Sequence, residues 1–308
     1  MASLATALNY VAGGLDPAWL MGSSAFAFRS FVCRDLCPSA MSIFNWSAVL
    51  PEAVEQAGYR CIYVSRMWDE SAVEEQRRRE AHSAIVEGLE RGAPAVVWDI
   101  AGCEWGLIIG YDQERSLYDT LTDEGKPSTL AFDKLGRNGI DILSVAIPGE
   151  PTGRSREEVV LDSLKAAVAH AEGEEWTERP AYENGLAGYE MWATAYDRWA
   201  LILEAGSARK IGKDVQGHAR YYAGHHLSAR CYARDYLRGL ADDEALRNAS
   251  SCYERVASCL KPVWEYHSGV KRPEGASLRS LAESIRGAKA AEEEALGQIQ
   301  NYLAQTSS

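Results

Sequence analysis

The stretch from Gly92 to Asp119 constrains the fold more than any other part of this sequence. It contains two short apolar runs, Ala95 to Trp98 and Trp105 to Ile109. Each run is too brief for a helix, is rich in β-branched and aromatic residues, and is bounded by Gly, Pro or Asp. Both are therefore predicted to be buried strands. A third short strand is predicted at Arg115 to Tyr118, after the turn at Asp112-Gln113.

The rest of the first half of the chain mixes helical and strand patterns. Apolar residues at helical spacing predict helices at residues 2–12, 52–57 and 70–91, and alternating or short apolar runs predict strands at residues 25–32, 59–64, 130–132 and 140–147. Helices alternate with strands and then give way to a run of strands. This order favours an α+β domain with a mainly antiparallel sheet over residues 1–147.

A break in composition follows at residues 148–154, where two prolines and two glycines lie close together. After this linker the pattern is helical to the end. Ser155 and Glu158 have the spacing of a capping box at the start of the first of these helices. Helices are predicted at residues 155–172, 181–205, 213–240, 243–267 and 276–305. The second domain, residues 155–308, is therefore predicted to be an all-α helical bundle.

Charge and composition exclude several classes of partner. The formal net charge is −12 at pH 7, which argues against a nucleic-acid partner because phosphate binding needs clustered Lys and Arg. No apolar run approaches the roughly 18–20 residues that cross a bilayer, so no membrane association is expected. The first residues lack the pattern of a secretory signal, and we expect a cytoplasmic protein. Whether it forms a homo-oligomer stays open.

The cysteines do not indicate a disulfide framework or a metal site. There are seven, an odd number, scattered along the chain. Cys33 and Cys37 are four residues apart and Cys252 and Cys259 seven apart, so each pair would lie near one helical face if those stretches were helical. Neither pair has a second Cys/His pair at zinc-finger spacing, and the sequence also lacks a complete phosphate-binding loop. No metal and no cofactor are therefore expected.

Several segments resemble one known group of proteins. They are Ala-Leu-Asn-Tyr-Val-Ala-Gly-Gly-Leu-Asp at residues 7–16, Gly-Ser-Ser-Ala-Phe-Ala-Phe at 22–28, Gly-Ala-Pro-Ala-Val-Val at 92–97 and Glu-Trp-Gly-Leu-Ile-Ile-Gly-Tyr-Asp at 104–112. Together they resemble segments of the papain-like cysteine peptidase superfamily. Within it they are most similar to the C39-like group, which includes the N-terminal domain of butirosin biosynthesis protein H. The resemblance covers roughly residues 2–147 and implies a papain-like fold for that domain.

The resemblance also implies where a catalytic site would lie. In the family a Cys begins a buried helix, a His on a strand accepts its proton, and an Asp or Asn on the next strand orients the His. Carried onto this sequence, the three positions fall on Ser3, Glu104 and Asp119. In another register, closer to the C39 pattern, the Cys would lie before Met1. Either way the chain departs from the family pattern.

These departures shape the functional expectation. Residues 1–147 contain a single histidine, His82, on the predicted long helix. Glu104 is a weaker base than His, and beside Asp119 it would share a proton or be repelled. We therefore expect a degenerate member: a binding or accessory protein that takes a small molecule or an acyl or peptide ligand in a cleft between the sheet and the first helix. The alternative is a hydrolase or acyltransferase acting on an amide or thioester, with Ser3 or an upstream Cys as nucleophile and Glu104 and Asp119 as acid and base.

Two carboxylates have competing interpretations. Glu104 could act as a general acid or base if it is buried with a raised pKa, or it could hydrogen-bond the backbone at the start of the first helix; the sequence leaves both open. Asp99 follows a predicted strand and could join a carboxylate cluster. A turn-forming role for Asp99 is the favoured interpretation.

Overall fold

The computed structural model describes residues 2–38, 40, 45–173, 181–206, 213–240, 242–269 and 274–306. It divides the chain into two compact units. Met1–Ser24 and Trp46–Val159 form the first, called the sheet unit here, and Ala25–Asn45 and Val160–Ser308 form the second, the helical unit. Residues 25–45, which the sequence pattern assigned to the first domain, thus belong with the helices.

The secondary structure is of the α+β class. In chain order the strands of the described residues are β1 (Phe31–Cys33), β2 (Tyr59–Arg66), β3 (Ala95–Trp98), β4 (Trp105–Asp112), β5 (Leu117–Leu121), β6 (Pro127–Ala131), β7 (Leu143–Pro151) and β8 (Tyr182–Asn184). The α-helices there are α1 (Ala2–Ala12), α2 (Pro17–Ser23), α3 (Trp46–Gln56), α4 (Glu74–Glu90), α5 (Arg156–Ala171), α6 (Gly185–Glu204), α7 (Lys213–Arg238), α8 (Glu244–Gly269) and α9 (Gly275–Thr306).

The sheet unit is built on six antiparallel strands in the order β2-β7-β3-β4-β5-β6. The predicted strand Ala95 to Trp98 is confirmed to the residue, and the predicted second strand begins at Trp105 but continues to Asp112. Two predictions are corrected. The third strand is Leu117–Leu121 rather than residues 115–118, and β7 runs through Pro151, so half of the predicted linker is strand.

One face of this sheet is covered by α4. Gly88 on α4 lies so close to β7 that a Cβ there would come within 2.8 Å of Ile147 Cγ2. His82, two turns earlier, packs against Tyr118 of β5, with ring centroids 5.8 Å apart. The core of the unit joins Ala81 and Ile85 of α4 to buried apolar residues of the strands and their connections: Ala93, Ala95, Val97, Ile100, Ile108, Tyr118, Leu130, Leu135, Leu143, Val145 and Ile147. Side chains alternate between the two faces of a strand. The strand residues in this list therefore point towards α4, and their neighbours in the sequence point to the other face of the sheet.

The predicted strand at residues 25–32 is largely wrong. Only Phe31–Cys33 is extended, and it pairs with β8 in a two-stranded antiparallel sheet of the helical unit. Ala25 has a φ of 58° and its carbonyl accepts the N–H of Phe28 at 3.1 Å, so the preceding residues turn instead of extending. These residues are buried even so, which explains why their apolar alternation resembled a strand.

Helices occupy most of the stretches that were predicted to be helical in the second half of the chain. Helix α6 packs on α9, α9 on α8, and α8 on α7. The predicted capping box at the end of the sheet unit, where α5 begins, is confirmed. Ser155 Oγ accepts the N–H of Glu158 at 3.2 Å, and the Glu158 carboxylate accepts the N–H of Ser155 at 2.7 Å.

A buried ion pair lies at the centre of the helical unit. Arg230 of α7 and Glu292 of α9 are joined by two hydrogen bonds, of 2.8 and 2.9 Å, with side chains 0% and 3% exposed. The hydroxyls of Tyr189 and Tyr253 donate to the same carboxylate. Arg230 also donates to the carbonyl of Arg29 at 2.9 Å, and this bond ties residues 25–45 to the helices.

Candidate functional site

The candidate site lies at the end of the β3–β4 hairpin, and Asp99 shapes it. The N–H groups of Asp99 and Ile100 both donate to the carbonyl of Glu104, at 3.0 and 3.3 Å, and Asp99 has a φ of 62°. The Asp99 carboxylate accepts the N–H of Cys103 at 2.7 Å and that of Ile140 at 2.6 Å. Asp99 is therefore the turn-forming residue that the sequence favoured, and the hairpin holds the backbone of Glu104 in place.

Ser3 lies beside this hairpin. Helix α1 packs against β7, β3 and β4, and the Ser3 hydroxyl donates to the carbonyl of Trp105 at 3.0 Å. Because Trp105 directly follows Glu104, this bond brings the first turn of α1 next to Glu104. Ser3 thus lies beside the backbone of the residue that follows Glu104. Ser3 itself is 6% exposed, and its proton is given to a backbone carbonyl rather than to a base.

Asp119 lies elsewhere. It is exposed and pairs with Gly110 in the β4–β5 register. Gly110 is six residues beyond Glu104, so Asp119 lies about 20 Å along the strand from Glu104. The bulge between Ile108 and Gly110 adds one residue to β4 and shortens this distance only by part of one residue's length. The predicted Glu104–Asp119 pair is therefore not formed.

Asp123 is the carboxylate that faces Glu104. Because β5 runs antiparallel to β4, the residues after Leu121 return to the end of β4 where Glu104 lies. Burial raises the pKa of the half-buried Glu104, and the negative charge of Asp123 raises it further. Asp123 was not predicted as a site residue, because the predicted third strand ended at Tyr118 and so did not reach back to the end of β4.

Three tryptophans form a cluster at the same end of the hairpin, called the tryptophan cluster here. Trp98 and Trp105 are register partners, and Trp46, the first residue of α3, packs on both. The three ring centroids are 4.9, 4.9 and 5.2 Å apart. Trp98 and Trp105 are buried, while Trp46 is partly exposed. The sequence shows Trp98 and Trp105 flanking one turn, but Trp46 is joined to them only by the fold.

His82, the one histidine of the sheet unit, is engaged away from this site. Its Nδ1 lies 2.6 Å from the Tyr118 hydroxyl and its ring centroid 4.6 Å from that of Phe132. Burial lowers the pKa of His82. Tyr118 pairs with Tyr111, seven residues beyond Glu104 along β4, so the imidazole lies about 23 Å along the strand from Glu104.

Cys103 is the one thiol next to Glu104 in the sequence. It is exposed and has a φ of 64°. Desolvation raises the pKa of its thiol, and the charges of Asp99 and Glu104 raise it further. A raised pKa keeps the sulfur protonated, which is the opposite of what an activated cysteine nucleophile needs.

Two further properties bear on the expected partners. Among the residues that the structure describes, no group of three or more His, Cys, Asp or Glu side chains is arranged to hold a metal ion. In the same residues, none of the helices combines the length and apolar character that crossing a membrane requires. Comparison of the chain with models of known protein families and with curated proteins finds no match.

Proposed function

We propose that this protein is a degenerate member of the papain-like, C39-like group, and that it acts as a binding or accessory protein without thiol catalysis. One observation carries the proposal. Where the resemblance expects a free nucleophile at the start of the first helix, the buried Ser3 hydroxyl donates to the carbonyl of Trp105. The resemblance to this group rests on the sequence motifs around residues 7–28 and 92–112.

The surroundings of Ser3 support a non-catalytic role. A serine nucleophile needs a neighbouring base that accepts its proton, and the base is in turn oriented by a third group. The hydroxyl proton of Ser3 is bound by a carbonyl oxygen, which is far too weak a base. His82 is hydrogen-bonded to Tyr118. Glu104 stands where the family has its histidine, and its neighbour is another carboxylate, Asp123.

The same residues indicate what kind of ligand would fit. Glu104 and Asp123 put negative charge at the end of the hairpin, and the partly exposed Trp46 of the tryptophan cluster adds aromatic surface there. Carboxylates and indole faces both attract cations and hydrogen-bond donors. We therefore propose that the ligand is a small molecule, or an acyl or peptide group, that presents an amine or another donor to Glu104.

Two measurements on the same protein test this proposal. A fluorophosphonate probe, which reacts with activated serines, should leave Ser3 unlabelled. Ser3→Ala should lower the free energy of unfolding by only about 0.5–1.5 kcal/mol, the value of one hydrogen bond. Thermal unfolding measured with a panel of amines, acyl thioesters and short peptides should reveal a stabilising ligand. Its effect should be lost in Glu104→Gln and kept in the control Glu114→Gln, an exposed residue of the β4–β5 turn. Stoichiometric labelling at Ser3 that disappears in Glu104→Gln would overturn the proposal.

A second candidate function is a hydrolase or acyltransferase acting on an amide or thioester. The raised pKa of Glu104 favours it, because a carboxyl group that stays protonated nearer neutral pH is a better general acid. If the protein is such an enzyme, it turns over an amide or thioester substrate. The rate of this turnover should then fall at least tenfold in both Glu104→Gln and Asp123→Asn. A binding protein would show ligand-dependent stabilisation and no turnover.

A further inference from the structure

Cys33 and Cys37 lie on either side of a tight turn in the helical unit. The N–H of Leu36 donates to the carbonyl of Cys33 at 2.8 Å, and Leu36 has a φ of 54°. The stretch is thus a turn that follows β1, and not the helix that would have placed the two cysteines on one helical face. This hydrogen bond closes a four-residue turn whose end residues, Cys33 and Leu36, lie within about 7 Å between Cα atoms, and Cys37 is the next residue in the chain.

Tyr222 of α7 binds the backbone of both cysteines with one oxygen atom. Its hydroxyl oxygen accepts the N–H of Cys33 at 2.8 Å and donates to the carbonyl of Cys37 at 3.0 Å. The N atom of Cys33 and the O atom of Cys37 can therefore be no farther apart than the sum of these two distances. The shared oxygen therefore holds the backbones of the two cysteines close together, as a disulfide requires, since its Cα atoms lie about 4.4–6.8 Å apart.

Both thiols are also placed so that their charge acts on the Tyr222 hydroxyl. Burial is the main cause that raises the pKa of the Tyr222 hydroxyl, and negative charge on either Cys33 or Cys37 raises it further. Cys33 is 6% exposed and Cys37 is half-buried, so one thiol of the pair can be reached from solvent and the other is shielded. This is the arrangement of an attacking and a resolving cysteine.

We propose that Cys33 and Cys37 form a reversible, redox-active dithiol that is oxidised by low-molecular-weight disulfides. The Cys37 thiolate attacks the small disulfide, forms a mixed disulfide and releases one thiol. The Cys33 thiolate then attacks Cys37 Sγ, closes the Cys33–Cys37 bond and releases the second thiol. The protein loses two electrons and two protons, and one disulfide molecule becomes two thiols. A reduced dithiol reverses the reaction.

Closing this bond would act on β1 and on Tyr222. The new covalent link would fix the turn between the two cysteines, whose backbone Tyr222 already binds at both ends. Cys33 is also the last residue of β1 and pairs with Tyr182 of β8. The oxidised form is therefore expected to hold the β1–β8 sheet more firmly than the reduced form.

Oxidised glutathione tests the proposal on the native folded chain at mildly alkaline pH. Wild type should lose two hydrogen masses and two of its seven thiols, and peptide mapping should find Cys33 joined to Cys37. Cys33→Ser should instead trap glutathione on Cys37, and Cys37→Ser should leave the buried Cys33 unmodified. These two opposite outcomes distinguish the attacking from the resolving residue.

Cys252 and Cys259 supply the matched control. They are seven residues apart on α8, about 10.5 Å along the helix axis, and cannot be bridged while α8 is intact. Cys252→Ser should therefore oxidise like wild type. If a variant at position 33 or 37 does not fold, phenylarsine oxide is added to wild type and to Cys252→Ser instead. This reagent binds tightly only to two neighbouring thiols. Peptide mapping then shows whether it is bound at Cys33 and Cys37. No link between Cys33 and Cys37, or equal linking of Cys252 to Cys259, would overturn the proposal.

Discussion

Glu292 is the residue on which the buried polar groups of the helical unit converge. Its carboxylate binds the guanidinium of Arg230 and two tyrosine hydroxyls, and its side chain is 3% exposed. Glu292→Ala leaves Arg230 charged and buried without its counter-ion, so we expect a loss of about 3–5 kcal/mol in the free energy of unfolding. Urea denaturation followed by circular dichroism measures it.

Glu294 is the control for that change. It lies two residues farther along α9 and pairs with Arg255, and both side chains are more than half exposed. An exposed pair contributes about 0–1 kcal/mol, so Glu294→Ala should shift the urea midpoint only slightly. Equal losses in the two variants would contradict a special role for Glu292.

For the individual residues of the candidate site, the sequence predicts which residues are involved better than it predicts how they are arranged. Ser3 and Glu104 were predicted because two motifs carry them, and the structure places the Ser3 hydroxyl on the carbonyl of Trp105, which follows Glu104. Asp119 was taken from the family resemblance, and Asp123 was not considered, because the strand pairing that brings it back to the end of β4 leaves no local pattern in the sequence. Trp46 could not be linked to Trp98 and Trp105, since contacts of such long sequence separation leave no local pattern.

Gly185 opens α6 in a conformation that other residues avoid. Its φ is 56°, and a Cβ at this position would lie 2.5 Å from the carbonyl oxygen of Ala171 and also against that of His170. Gly185→Ala therefore adds backbone strain and a clash with the end of α5. We expect a loss of at least about 2 kcal/mol. Differential scanning calorimetry measures it.

Gly297, in the ordinary helical interior of α9, is the comparison for Gly185. No atom lies within 4 Å of a Cβ built there. Gly297→Ala should raise stability by about 0.5–1 kcal/mol, because alanine favours the helix. If Gly185→Ala were also neutral or stabilising, the close packing of α6 against α5 would be wrong.

Whole elements were predicted well where their pattern was long or their boundaries were marked. The capping box and the long apolar periodicities located the helices of the second half. The strands of the β3–β4 hairpin followed from short apolar runs between turn residues. The prediction failed at residues 25–32, because a fully buried turn such as Ala25 to Phe28 is as apolar as a strand and offers no polar residue to mark it.

The whole molecule is expected to lose stability as the pH falls from about 6.5 to about 4. Burial lowers the pKa of His225 and of His267 to about 4 each, and that of His226 well below its usual value. Between the folded and unfolded pKa values the unfolded chain binds more protons, so acidification favours unfolding. Above pH 6.5 both states are neutral at these positions and the full stability is retained.

Chemical denaturation at pH 7, 5.5 and 4.5 measures this dependence. We expect a decrease of at least about 1 kcal/mol between pH 7 and 4.5. His267→Gln, which keeps a hydrogen-bonding side chain near the Tyr196 hydroxyl, should make the decrease shallower. Constant or rising stability over this range would show that these imidazoles are not held neutral.

The helical unit is built from two stretches of the chain that are far apart in the sequence, and this affects how the protein folds during synthesis. Residues 25–45 leave the ribosome early, but the groups that complete their environment are synthesised far later: β8, Tyr236, Tyr253 and Arg230. Until then Phe28, whose ring packs on those two tyrosines, has nothing to shield it from water. A nascent chain that ends near residue 159 would therefore expose an apolar segment that is prone to aggregation. We expect folding during synthesis to depend on a chaperone that binds this segment.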